Sequence, residues 1–185
     1  RAASGARLIF ILAQVVGAVG AYRLAKLHAG RGGGLLGALA FVGAPYILFI
    51  NPHVRGDLPE SFALACLPWA LWAWELVWRH GSLASAFAAI LATSLVFLSH
   101  NLTGLTVVVL VAGLGLWRLF LGPRPPTEGS SSGAVWQRHP HLGLAMATAL
   151  IFVLVTSFFW FPFLAERSSI KLDVAGDGHY DFRNH

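Results

Sequence analysis

The residues best suited to chemistry lie in one short polar stretch, Asn51 to Glu60, which reads NPHVRGDLPE between two long apolar runs. A guanidinium such as that of Arg55 can hold a phosphate or pyrophosphate through two parallel hydrogen bonds. The carboxylates of Asp57 and Glu60 could bind a divalent cation or act as a general base. A charged break between two membrane-length segments indicates a polar loop at a bilayer surface that carries a functional site.

Each of these three residues also has a structural explanation. Arg55 could pair with Asp57 or reach lipid head groups as an ordinary surface cation. Asp57 and Glu60 stand three residues apart at the start of an apolar run, with Pro59 between them, which is the pattern of a helix N-cap. Glu60 could serve such a cap and still face a cavity. The sequence leaves both alternatives open.

A second polar pair, His100 and Asn101, separates two apolar runs that are too close together for a long loop. Such residues commonly satisfy helix ends, but both side chains could also reach a cavity. Glu166 follows the last apolar run, and after it comes a polar tail. The tail contains three possible metal ligands, His179, Asp181 and His185. Their spacing matches no compact metal motif, so we predict no metal site there.

The composition indicates an integral membrane protein. Of the 185 residues, 56% are apolar and only 11% are charged. The formal net charge is +5, but Lys and Arg are scattered singly and form no basic helix, which excludes nucleic acid as a partner. The single cysteine, Cys66, lies in an apolar run and cannot form an internal disulfide. We therefore expect the chain to be surrounded by membrane lipid.

Six continuous apolar segments are long enough to cross a bilayer as helices. The predicted spans lie near residues 8–25, 34–50, 61–78, 83–99, 102–121 and 142–164. The predicted fold class is therefore all-α, a polytopic transmembrane helix bundle. Two faces carry small residues at four-residue spacing and are predicted packing seams, namely Ala13, Gly17, Ala21 and Ala25 in the first span and Ala84, Ala88 and Ala92 in the fourth.

We expect one transmembrane domain over residues 1–164. Residues 122–141, rich in Pro, Gly and Ser, form a flexible cytoplasmic linker within it. Residues 165–185 begin an outer polar loop. The chain starts at Arg1 without a methionine and stops on polar residues soon after a span, so we interpret it as a fragment whose partner is the remainder of the same polypeptide.

The charges of the connections predict the orientation. One side collects Lys26, Arg31, Arg79, Arg118, Arg124 and Arg138, and the other collects Asp57, Glu60, Glu166, Asp173, Asp177 and Asp181. Because Lys and Arg mark the cytoplasmic side, the stretch 51–60, the His100–Asn101 turn and the C-terminal tail should share the extracytoplasmic face. Within the third span, Glu75 and Arg79 are spaced to pair one helical turn apart, an interaction that we interpret as structural.

Five short patterns together resemble a known family: Ala44-Pro45-Tyr46, Arg55-Gly56-x-x-x-Glu60, Leu67-Pro68, Ser99-His100-Asn101 and Phe159-Trp160-x-Pro162-x-x-x-Glu166. The chain resembles the prokaryotic multi-pass membrane proteins labelled "6-pyruvoyl-tetrahydropterin synthase related", which are similar to the GT-C glycosyltransferase superfamily. The resemblance covers nearly the whole chain. Nothing resembles the fold or zinc site of the soluble pterin synthase, so no pterin chemistry is implied.

The resemblance implies transfer of a sugar from a polyprenyl-phosphate-linked donor at the outer face of a prokaryotic inner membrane. The family's principal acidic residue would lie in a loop before Arg1, so no residue here can inherit that catalytic role. Arg55, Glu60, His100, Asn101 and Glu166 match the family's outer-face motifs, and Asp57 and Tyr46 lie beside them. These seven are the predicted substrate-binding residues. A divalent cation is the cofactor that such a site could require.

Two other functions remain open. A transporter or flippase of lipid-linked glycans would normally place ionisable residues near the middle of the membrane, and the predicted spans have none at their centres. A non-catalytic membrane scaffold would need its polar residues only for helix caps and ends. It would tolerate the loss of Arg55 and Glu60.

Overall fold

The computed structural model describes residues 2–122 and 140–166, which form helices and short connections without strands. The elements are α1 (Ala2–Gly43), a π-helical segment (Tyr46–Arg55), α2 (Leu58–His80), α3 (Leu83–Ser99), α4 (Asn101–Phe120) and α5 (Leu142–Ala165). The all-α prediction is confirmed for these residues. Most of the predicted linker 122–141 and nearly all of the tail 165–185, including its three possible metal ligands, lie outside the described residues.

Four helical regions are long and apolar enough to cross a membrane, namely Gly5–Arg55, Leu58–His80, Asn101–Phe120 and Leu142–Pro162. The helix Leu83–Ser99 is also apolar but has only 17 residues. Large apolar side chains such as Leu36, Leu39 and Phe158 are about two-thirds exposed. Surfaces of this kind are stable against lipid rather than water. The chain is therefore a multi-pass helical membrane protein, and its crossing the bilayer six times stays a prediction.

α1 doubles back on itself at Ala29 and Gly30, the two residues with non-helical backbone angles. Gly30 has φ 67° and ψ −163°, a conformation that only glycine adopts readily. The arms 2–28 and 31–43 then pack antiparallel, since Gly37 lies against Ala21 and Ala25. The first predicted seam of small residues is thus a packing surface. This hairpin and the π-helical segment contain both of the first two predicted spans.

α2 is the central helix and packs against every other described element. Its closest partner is α3, and small residues let the two backbones approach: Ala63, Ala70 and Ala73 of α2 and Ala89 of α3 are at most 1% exposed. The second predicted seam is confirmed in part. Ala88 and Ala92 pack against the buried core, but Ala84 is exposed, and the buried residues of α3 include Ala86, Ala89, Thr93 and Val96. A buried hydrogen bond of 2.9 Å from Trp74 Nε1 to Thr93 Oγ1 favours this rotation of α3.

The polar stretch 51–60 is mostly helical, which corrects the prediction that it forms a loop. The π-helical segment continues through Arg55, and α2 begins at Leu58, so Gly56 and Asp57 alone connect them. Pro52 has no amide hydrogen, which disfavours regular α-helical bonding here. The segment ends where Gly56, at φ 64°, donates its N–H to the carbonyl of Asn51 at 2.7 Å. The short connection holds Arg55 close to the start of α2.

Candidate functional site

Six polar residues from three elements meet at the N-terminal end of α2. We call them the Arg55 cluster: Tyr46, Asn51 and Arg55 of the π-helical segment, Asp57 and Glu60 at the start of α2, and His100 between α3 and α4. The sequence predicted that the stretch 51–60 and the turn at His100 share one end of the bundle. The structure brings them into contact.

Glu60 is the centre of this cluster, with a side chain only 7% exposed. Its Oε2 accepts hydrogen bonds of 2.8 Å from the hydroxyl of Tyr46 and of 2.8 Å from Nδ2 of Asn51. The guanidinium of Arg55 lies 3.2 Å from the same oxygen and also donates to the hydroxyl of Tyr46. A buried carboxylate with this many donors is held in one position.

The capping interpretation of the sequence is confirmed, and the capping residues also face the cluster. Asp57 is the N-cap of α2 and accepts the N–H of Glu60 at 3.0 Å, while its other oxygen lies 3.6 Å from Arg55 and 3.7 Å from Nε2 of His100. His100 is the N-cap of α4, where its Nδ1 accepts the N–H of Thr103 at 3.3 Å. Capping therefore fixes the orientation of these side chains and leaves one face of each for the cluster.

Two predicted site residues lie apart from the cluster. Asn101 is the first residue of α4 and is exposed, and Glu166 is the exposed C-cap of α5. Within residues 2–122 and 140–166, no hydrogen bond or ion pair links either side chain to the cluster. Their assignment to the substrate site stays a prediction.

The Arg55 cluster has more negative than positive charge when His100 is neutral, since one guanidinium faces two carboxylates. One ligand atom each from Asp57, Glu60 and His100 can lie within 4.8 Å of one another. Two carboxylates and an imidazole suit a divalent cation such as Mn²⁺ or Zn²⁺. The Arg55 side chain is 44% exposed and could turn outward to admit one.

A groove of about 620 Å³ lies beside the cluster, between the start of α1 and the π-helical segment. Arg7, Gln14 and His53 are its polar lining residues, and Gln14 donates a 3.2 Å hydrogen bond to the carbonyl of Ile47. Sequence reasoning missed this groove. The available signal was the spacing of Arg7 and Gln14, which puts two polar side chains two turns apart on one face of an apolar helix.

The other end of α2 carries a second group of charges, which we call the Glu75 cluster: His28, Glu75, Arg79 and Arg118. Glu75 is 0% exposed and accepts a 2.8 Å hydrogen bond from Nε of Arg79, as the sequence predicted. Arg118 of α4 forms two further hydrogen bonds with the same carboxylate. Nε2 of His28 lies 3.7 Å away, and Arg79 also donates to the carbonyl of Leu27 at 3.0 Å. The cluster thus joins α1, α2 and α4.

Comparison with known proteins shows a similarity to a human membrane transporter. The chain is 32% identical over 112 residues to the human protein "Solute carrier family 52, riboflavin transporter, member 1". The similarity spans 60% of this chain but only 23% of that protein, so the chain covers less than a quarter of the length of its relative. No protein-family model matches the chain, and no solved structure matches it.

Proposed function

We propose that the Arg55 cluster binds the phosphate of a polyprenyl-phosphate-linked sugar at the extracytoplasmic face, as part of a glycosyltransferase with a GT-C-like bundle. The observation that carries the proposal is the placement of Arg55: its guanidinium is half-exposed yet held by Tyr46, Asp57 and Glu60. A half-exposed guanidinium at a bundle end can reach a phosphate anchored in lipid. The resemblance of the sequence motifs to that superfamily supports the same assignment.

The charge of the cluster suggests that a divalent cation binds together with the donor. A phosphodiester would be repelled by two carboxylates that face a single guanidinium. Asp57, Glu60 and His100 would hold the cation, and Arg55 would then be free to hold the phosphate. When bound, the cation would stabilise negative charge on the departing lipid phosphate.

The test is sugar transfer from a panel of polyprenyl-phosphate-linked donors by the full-length polypeptide in liposomes. Arg55→Ala should lower transfer by about ten- to a hundredfold, because charge-assisted hydrogen bonds contribute about 1.5–3 kcal/mol. Arg55→Lys should recover part of it, since it restores the charge without the planar fork. Lys26→Gln removes a cation outside both clusters and should have no effect. Wild-type protein that transfers nothing, or an Arg55→Ala variant as active as wild type, would refute the proposal.

Transport of a small solute is a second candidate, favoured by the similarity to the riboflavin transporter. The groove of about 620 Å³ is within the usual size of a small-molecule site. In this alternative, Arg7, Gln14 and His53 would contact the solute. The same liposomes can be tested for uptake of riboflavin and of lipid-linked glycans. Uptake that depends on Gln14 and persists in Arg55→Ala would favour transport over transfer.

A further inference from the structure

We propose that an anionic phospholipid binds in a groove that leads to the Glu75 cluster, with its phosphate at Arg118 and an acyl chain between α1 and α4. The groove measures about 310 Å³ and is lined by Leu24, His28, Leu71, Glu75, Leu110 and Leu114. This site lies at the opposite end of α2 from the proposed donor site. It does not depend on the function proposed there.

The groove follows from the packing of the bundle. α1 and α4 both pack against α2, but they do not pack extensively against each other. The space between them has α2 as its floor, with leucines from all three helices along its walls. Its polar end is formed by His28 and Glu75. An apolar groove with one charged end matches a molecule with an acyl chain and a charged head.

The sign of the charge identifies the head group. Glu75 is a single carboxylate that faces two guanidiniums, those of Arg79 and Arg118, so the cluster keeps an excess positive charge. In the described part of the chain, Arg118 uses Nε and one terminal nitrogen on Glu75, and its other terminal nitrogen has no protein partner. A lipid phosphate could accept a hydrogen bond from this nitrogen. A net negative head group is favoured over a zwitterionic one, because the latter brings a positive charge of its own.

The surroundings of the groove also suit a lipid at the membrane interface. Arg118 lies over the ring of Trp117 at 5.0 Å, and Trp78 packs nearby against the α2–α3 core. Trp is enriched at membrane–water interfaces, and basic pockets between membrane helices bind anionic head groups.

The experiment measures lipid binding to the full-length polypeptide in detergent by native mass spectrometry, with phosphatidylglycerol, phosphatidylcholine and inorganic phosphate as probes. Wild-type protein should bind phosphatidylglycerol about fivefold more tightly than phosphatidylcholine, which corresponds to one basic side chain. Arg118→Gln should remove this preference. Leu114→Trp should weaken binding of both lipids by filling the groove without changing any charge.

Two matched controls separate the groove from general effects. Lys26→Gln removes a cation at the same end of the bundle but outside the cluster, and Leu116→Trp adds a ring on an exposed face of α4 outside the groove. Both should bind lipid as wild type does. Equal affinity for the two lipids, unchanged binding by Leu114→Trp, or full competition by inorganic phosphate at the lipid concentration would overturn the proposal.

Discussion

Each end of α2 buries a carboxylate, but the balance of charge around that carboxylate is opposite at the two ends. Glu60 and Glu75 are fifteen residues apart on one helix, which places them about 22 Å from each other. Glu75 is fully enclosed and outnumbered by two guanidiniums, whereas Glu60 and Asp57 outnumber the single, half-exposed guanidinium of Arg55. The first arrangement joins three helices. The second leaves the guanidinium of Arg55 accessible to a ligand, which is why we propose the substrate site there.

The largest difference between the two ends should appear in stability. Glu75→Gln leaves the partly buried Arg79 and Arg118 without their carboxylate partner, so we expect a loss of about 3–5 kcal/mol in the free energy of unfolding. Unfolding can be followed by circular dichroism of the protein in detergent. Glu166→Gln, a substitution of an exposed carboxylate, is the control. Equal stability of the two variants would show that the Glu75 cluster does not hold the helices together.

Glu60→Gln should lower the free energy of unfolding less than Glu75→Gln does, but it should reduce donor binding more. Arg55 can turn to water when its partner is lost, and the amide can still accept hydrogen bonds from Tyr46 and Asn51. We therefore expect a loss of about 1–3 kcal/mol in the free energy of unfolding. Donor binding, measured by isothermal titration calorimetry with added Mn²⁺, should nevertheless be lost. A variant that is as unstable as Glu75→Gln would remove the distinction between the two ends.

Substitutions of Asp57 can separate its role as the N-cap of α2 from the role of its negative charge. They should change the free energy of unfolding least of the three sites. Asp57→Ala removes the N-cap of α2 and should cost about 1 kcal/mol. Asp57→Asn keeps an acceptor for the N–H of Glu60, so its stability should stay near that of wild type. Both variants should weaken Mn²⁺ binding, because both remove a carboxylate ligand. Normal Mn²⁺ affinity in Asp57→Asn would exclude Asp57 from the cation site.

Some of the site could be predicted from the sequence because it depends on neighbouring residues. Asp57 and Glu60 are three residues apart, so a helix that starts between them forms the N-cap whatever packs around it. The Glu75–Arg79 pair follows in the same way from one helical turn. Contacts with Arg118 and His28 could not be predicted, since they require knowledge of which helices pack together and at what rotation.

The polar stretch 51–60 shows why local patterns also mislead. Its Pro, Gly and charged residues are typical of a loop. Most of it is nevertheless helical, because the π-helical segment accommodates Pro52 and only Gly56 and Asp57 separate that segment from α2. The predicted seam of α3 was right for Ala88 and Ala92, which pack at the edge of the core, but not for the exposed Ala84. Four-residue spacing identifies a face of small residues, but the hydrogen bond between Trp74 and Thr93 favours the rotation that buries a neighbouring face.

The sequence by itself determined that the chain is helical and lies in a membrane, because long apolar runs can satisfy their backbone in lipid only through hydrogen bonds within the segment. Its spacing also predicted an N-cap at Asp57, and its charges predicted that the stretch 51–60 and the His100–Asn101 turn share one face. Only the tertiary structure decided that His100 meets Asp57, that Arg118 meets Glu75, and that grooves open beside both clusters. These contacts join residues more than forty positions apart, and packing of side chains rather than local spacing brings them together.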